Sequence, residues 1–173
     1  MIENPNSHAD QLAKVGVFNS DDLEVNRSGH LAESQKRKLY FNVFLWLTVA
    51  GLEAIVFLGL AWIEFLIQGD LVLGVIAIGV FIALGSMCIE NAKPFWEDIQ
   101  EDNPKTASGT LYKHFSLTGG STKGSRIAHC SIRVNDQIFA ISPGVYGYIV
   151  HEGHYRVYYV PKSRTIINIE PLS

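Results

Sequence analysis

The chain has 173 residues, with 14 Lys+Arg against 17 Asp+Glu, a formal net charge of −3, and only 18% charged residues. Soluble domains carry about 25%, so these values exclude a disordered chain and speak against a nucleic-acid binder, which would be basic overall. Two cysteines, Cys88 and Cys130, are too few for a disulfide framework.

Residues 1–38 form a polar arm with scattered apolar positions and no apolar core near Met1, so no cleavable signal peptide is expected. The Asx-rich start at Asn19 and the break at Gly29 predict a short helical piece or turn. A new helix follows from about Leu31. Asp21, Asp22 and Glu24 lack the twelve-residue ligand spacing and closing Glu of a calcium loop.

Residues 39–89 carry the main signal. The run 43–67 holds 25 residues whose only charges are Glu53 and Glu64, and the run 71–89 holds 19 with none. About 20 apolar residues cross a bilayer core, and only Gln68, Gly69 and Asp70 separate the runs. A tight antiparallel hairpin of two transmembrane helices is predicted. The competing reading, two buried helices of a soluble fold, would require a small domain to hide two consecutive helices that are apolar all round. Trp46 and Trp62 stand 16 residues apart, about 24 Å along a helix, which suits one ring at each interface. Trp96 follows the second helix as a third anchor.

Lys36, Arg37 and Lys38 precede the first helix, whereas the connecting loop has no Lys or Arg. Positive charge stays inside. The expected topology is two-pass and uncleaved, with both termini cytoplasmic, in the plasma membrane. The segment 90–106 reads as an acidic juxtamembrane linker.

After Pro104 the period changes from helical to alternating, and 107–173 reads as a cytoplasmic β domain. Ser108–Leu117 is a first strand, followed by a Gly/Ser-rich loop. Arg126–Ile141 is a hairpin turning at Asn135-Asp136, with Ala128, Cys130, Ile132 and Val134 on one face and His129, Ser131 and Arg133 on the other. Tyr155–Val160 and Thr165–Ile169 form a second hairpin around Pro161-Lys162-Ser163-Arg164, and Ser142-Pro143-Gly144 reads as a turn. Five short strands predict a small all-β domain, a five-stranded barrel or rolled sheet. Its size is marginal alone, so support from the arm, the membrane or an oligomer is expected. Seven basic residues against Asp136, Glu152 and Glu170 make this part +4. Lys113, Arg133, Arg156, Lys162 and Arg164, with Lys36, Arg37 and Lys38, are the candidates for contact with headgroups or an acidic partner.

Glu53 lies about 10 Å past Trp46, inside the hydrocarbon, where an ionisable side chain is a functional candidate. It falls level with Gly85 and Ser86 of the second helix, so Ser86 is its expected partner. Glu64 sits near the outer interface and can snorkel. The pairs Ala50/Ala54 and Gly79/Ala83 have helix-contact spacing. His151-Glu152-Gly153-His154 lacks the i,i+4 histidine pair of helical zinc sites, and His129 and Cys130 point to opposite faces of a strand. Thr118–Arg126 departs from the phosphate-loop pattern, since Ser125 follows Gly124 and a strand follows the loop. No G-x-S-x-G is present, and Cys130 alternates onto the apolar face. No cofactor or metal is implied.

The sequence therefore reads as a non-catalytic membrane accessory or scaffold protein. A lipid bilayer and a homo-oligomer or larger membrane complex are the expected partners, and no nucleic acid. The alternatives are an oligomeric channel or proton-linked component using Glu53, and a membrane-tethered ligand-sensing β domain.

Overall fold

The computed structural model describes residues 12–16, 18–65, 71–119 and 126–172. The expected 68–70 connection and most of the Gly/Ser-rich loop lie outside them. Two compact units result. Glu33–Glu101 is one, and Met1–Ala32 with Asp102–Ser173 is the other.

The hairpin unit consists of helices α2 (Glu33–Ile63) and α3 (Leu71–Glu101). Each is 31 residues, about 46 Å at 1.5 Å per residue. That exceeds a hydrocarbon core of about 30 Å. α3 continues past Ile89 through the acidic stretch to Glu101, so most of 90–106 is helix, with Pro94 inside it. A proline there removes the bond to the carbonyl four residues back. The break falls where the apolar run has given way to charged residues.

The seam between α2 and α3 is narrow. Leu39, Val43 and Ala61 are buried from α2, and Gly74, Cys88, Ala92 and Ile99 from α3. Leu39 and Val43, like Cys88 and Ala92, are four residues apart and share one helix face. Gly74 is buried under Phe65, whose ring would lie 2.8 Å from any added Cβ, so the small residue admits the large one. Most other apolar side chains face outward. Ile55 is 73% exposed, and only 6% and 11% of the most apolar windows of α2 and α3 are buried. A buried helix of a soluble core would show the reverse.

In the other unit, helix α1 (Ser20–Arg27) starts at Asn19, whose side chain accepts from the Asp21 amide at 3.1 Å. It ends at Gly29, where φ is +86°. The strands are β1 (Lys105–Gly119), β2 (Arg126–Val134), β3 (Gln137–Ile141), β4 (His154–Tyr159) and β5 (Ile166–Pro171). A short helix, α4 (Pro143–Tyr148), lies between β3 and β4. The predicted turn at Ser142-Pro143-Gly144 is the start of this helix. Ser142 caps it and Pro143 occupies the first turn, where its missing N–H costs nothing.

The sheet is antiparallel in the order β3-β2-β1-β4-β5. It does not close. The expectation of a barrel is corrected to an open sheet, because β3 and β5 are edges that do not pair with each other. The long central strand is shared: β1 pairs with β4 over Lys105–Thr110 and with β2 over Leu111–Gly119. At the junction Gly109 has φ +155°, and the Asn135 amide donates to the Ser108 carbonyl at 2.7 Å.

One face carries the core. Leu111, Ile132, Phe139, Val157 and Ile169 are fully or almost fully buried. Val145 and Ile149 of the α4 region cover them, together with Leu12 from the N-terminal segment. That segment then reaches β5. Asn19 and Asn168 exchange hydrogen bonds, the Asn19 amide donating at 3.4 Å and the Asn168 side chain at 3.1 Å. Further on, Arg27 pairs with Glu170. The N-terminal segment thus reaches two side chains on the face of β5 opposite Ile169.

Candidate functional site

The register builds a polar face on the side of β1–β2–β3 opposite the core. Tyr112 stands across from Arg133, His114 from Ser131, and Ser116 from His129. Ile138 stands across from Arg133 on the far side, and Ala140 from Ser131. Residues directly opposite in an antiparallel pair have Cβ atoms about 5 Å apart, so these side chains form rows. A groove of about 520 Å³ opens over them, lined by Tyr112, Lys113, His114, Ser131, Arg133, Ile138 and His151.

Two contacts preorganise this groove. The Arg133 guanidinium lies 5.4 Å from the Tyr112 ring centroid, a cation–π distance that holds it while leaving its donors available. The Lys113 amide donates to His151 Nδ1 at 3.1 Å, and the His151 ring meets Tyr112 edge-on at 6.0 Å. In the neutral ring an accepting Nδ1 places the proton on Nε2, which lies 3.9 Å from Glu152 Oε1. No acid is among the residues that line the groove.

The other basic candidates are dispersed. Lys113 belongs to the core face, where it donates to the Ile149 carbonyl at 2.9 Å and sits 4.2 Å from the Tyr146 centroid. Arg156 reaches Ser108 at 3.3 Å and Glu170 at 3.4 Å. Glu170 also accepts from Tyr158 at 3.1 Å and from Arg27, so this nearly buried carboxylate is held by two guanidinium groups and a phenol. Those bonds, to Glu170 first and Tyr158 second, raise the Arg27 pKa above its ordinary value. Lys162 and Arg164 are exposed in the β4–β5 turn, where Arg164 has φ +54°. In the hairpin unit, Arg37 and Lys38 are exposed, and Lys36 lies 3.9 Å from Glu33.

Within the hairpin, Glu53 does not meet Ser86. The Ser86 hydroxyl donates to the Ala83 carbonyl of its own helix at 2.8 Å, and Cys88 is the residue that reaches Glu53, Sγ to Oε2 3.6 Å. Gly79 and Ala83 are exposed rather than in the seam. Trp96 meets Tyr40 edge-on at 6.2 Å, Trp46 is half-buried, and Trp62 is exposed toward the other end of α2. His154 Nδ1 lies 3.5 Å from Thr110 Oγ1. Among the described residues no three of His, Cys, Asp and Glu converge as a metal site.

Sequence reading placed Arg133, Ser131 and His129 on one face but missed Tyr112, His114 and His151 as their neighbours. Alternation along β1 was the available signal for the first two. His151 arrives through the chain reversal after α4, which has no local signature.

No family model, curated protein or solved structure matches the chain.

Proposed function

We propose that the chain is an integral membrane protein in which the α2–α3 hairpin is a two-pass anchor and the β unit is a binding module at the cytoplasmic surface. The observation that carries this reading is the outward face of the hairpin: two adjacent 31-residue helices with their large apolar side chains exposed along their length. In water such a surface would aggregate; in hydrocarbon it is matched by its surroundings. Tyr40 with Trp96 near one end and Trp62 near the other suit the two interfaces. Lys36, Arg37 and Lys38 beside the first pair favour that end as cytoplasmic. The role is non-catalytic, an accessory or scaffold function in which the β unit engages a partner or headgroup.

Alkaline carbonate extraction of native membranes tests the anchor, and impermeant maleimide labelling of intact cells tests the topology. The full-length protein is expected in the pellet. A cysteine at position 69 is expected to label from outside, and Lys162→Cys only after lysis. Release into the supernatant overturns the anchor, and the opposite labelling overturns the orientation.

A further inference from the structure

We propose that the groove over β1–β2–β3 is a binding site for a phosphate group, with the apolar part of the same ligand resting on Tyr112 and Ile138. This inference is independent of whether α2 and α3 cross a bilayer.

The argument starts from the donor set. Arg133 offers a planar fork of N–H groups, the arrangement that matches oxyanions. The Ser131 hydroxyl, the His114 ring and the Tyr112 hydroxyl come from neighbouring rows of the same face. His114 and Arg133 are diagonal neighbours in the β1–β2 register, about 7–8 Å apart and within the reach of long side chains. That is more donors than the two oxygens of a carboxylate use, and it suits a tetrahedral anion with several acceptors. The electrostatics agree. Among the described side chains of this face Arg133 is the permanent charge and no acid opposes it. Glu152, 3.9 Å from His151 Nε2, and Asp136 stand in turns and are not part of the groove's lining. The remaining lining fits the rest of a ligand. Tyr112 is 41% and Ile138 62% exposed, an apolar shelf on a face whose other side is the core. A groove of about 520 Å³ falls within the range of small-ligand sites. The cation–π contact and the Lys113–His151 bond fix this lining in place before a ligand arrives.

The phosphate could come from a soluble phosphorylated compound or from a phospholipid headgroup, and the experiment separates the two. Full-length protein is placed in micelles of an uncharged, phosphate-free alkyl maltoside, and the imidazole signals of its six histidines are followed by NMR. Inorganic phosphate is the probe in one arm; in the other, phosphatidic acid is added to the micelles. Saturable shifts of His114 and His151 with inorganic phosphate identify a soluble source. The same shifts only with phosphatidic acid identify a lipid source. In either case Arg133→Gln weakens the response about ten-fold or more, with the His30 signal unchanged as a folding control, and Lys162→Gln does not weaken it. No shift in either arm overturns the proposal. So does a response that Arg133→Gln leaves intact, or one that Lys162→Gln reduces equally.

Discussion

The Cys88 thiol donates to the Glu53 carboxylate across the two long helices, Sγ to Oε2 3.6 Å. It joins two positions that no local pattern links, in the part of the hairpin where apolar side chains otherwise face outward.

Removing the donor should loosen the hairpin. Polar contacts between membrane helices contribute about 0.6–2 kcal/mol, so Cys88→Ala is expected to lower thermal stability in detergent by about 1 kcal/mol. Cys88→Ser keeps a donor and is expected to recover part of the loss. Glu53→Gln, which keeps an acceptor, should leave ion flux through proteoliposomes at the wild-type level. A drop in flux would revive the channel reading.

A second prediction concerns the middle of β1. A Cβ on Gly109 would lie 2.5 Å from Asn135 Oδ1, at a φ of +155° that side chains avoid. Gly109→Ala is expected to cost about 1–3 kcal/mol, seen as a lower midpoint in chemical denaturation. Asn135→Gly removes the obstructing side chain and keeps a residue suited to φ +52°. In the double variant the two losses should add to less than their sum. Full additivity would show that the contact is not the cause.

How much of this was readable beforehand depends on how local each feature is. β2 and β3 fell at Arg126–Val134 and Gln137–Ile141 because alternation and a two-residue turn are written into consecutive positions. The two long helices were legible from uninterrupted apolar runs. Closure was not, because it depends on whether β3 meets β5, and those strands share no sequence signal. α4 was hidden because Ser-Pro-Gly serves a turn and a helix start equally well. Leu12, fully buried in the core, looked like an isolated leucine in a polar arm. The groove was half legible: the face of β2 could be read, its neighbours on β1 were overlooked, and His151 required the fold.

Tyr155 supplies a pH prediction. Its ring is buried, and its hydroxyl oxygen accepts from the Val150 amide at 2.9 Å. Burial pushes the phenol above the ordinary tyrosine value, and the amide bond opposes this less strongly. The folded state therefore holds the proton more tightly than the unfolded state. This contribution is fully present below the unfolded value of about 10 and is lost as pH rises through the folded one. Unfolding free energy should fall with pH above about 10, and Tyr155→Phe should flatten that fall. At neutral pH Tyr155→Phe should cost about 1 kcal/mol by removing the partner of the Val150 amide.

The points where the hairpin leaves and rejoins the β unit are held together. The Leu31 amide donates to Asp102 Oδ1 at 2.9 Å, and Asp102 Oδ2 lies 3.3 Å from His30 Nδ1. Replacing Glu33–Glu101 by a short Gly/Ser linker between Ala32 and Asp102 is therefore expected to yield a protein that is soluble without detergent and unfolds in one cooperative thermal transition. A sloping, non-cooperative melt would show that the β unit needs the hairpin to fold.

The path of the N-terminal segment also sets an order of events during synthesis. Leu12, Asn19 and Arg27 leave the ribosome before either long helix, yet the residues they bind, Asn168 and Glu170 among them, are made only after both. At about 5–20 residues per second, the segment waits about 8–30 s for these partners. The β unit can close only after Glu33–Glu101 has been made, so the two long helices precede the sheet whose sequence they interrupt.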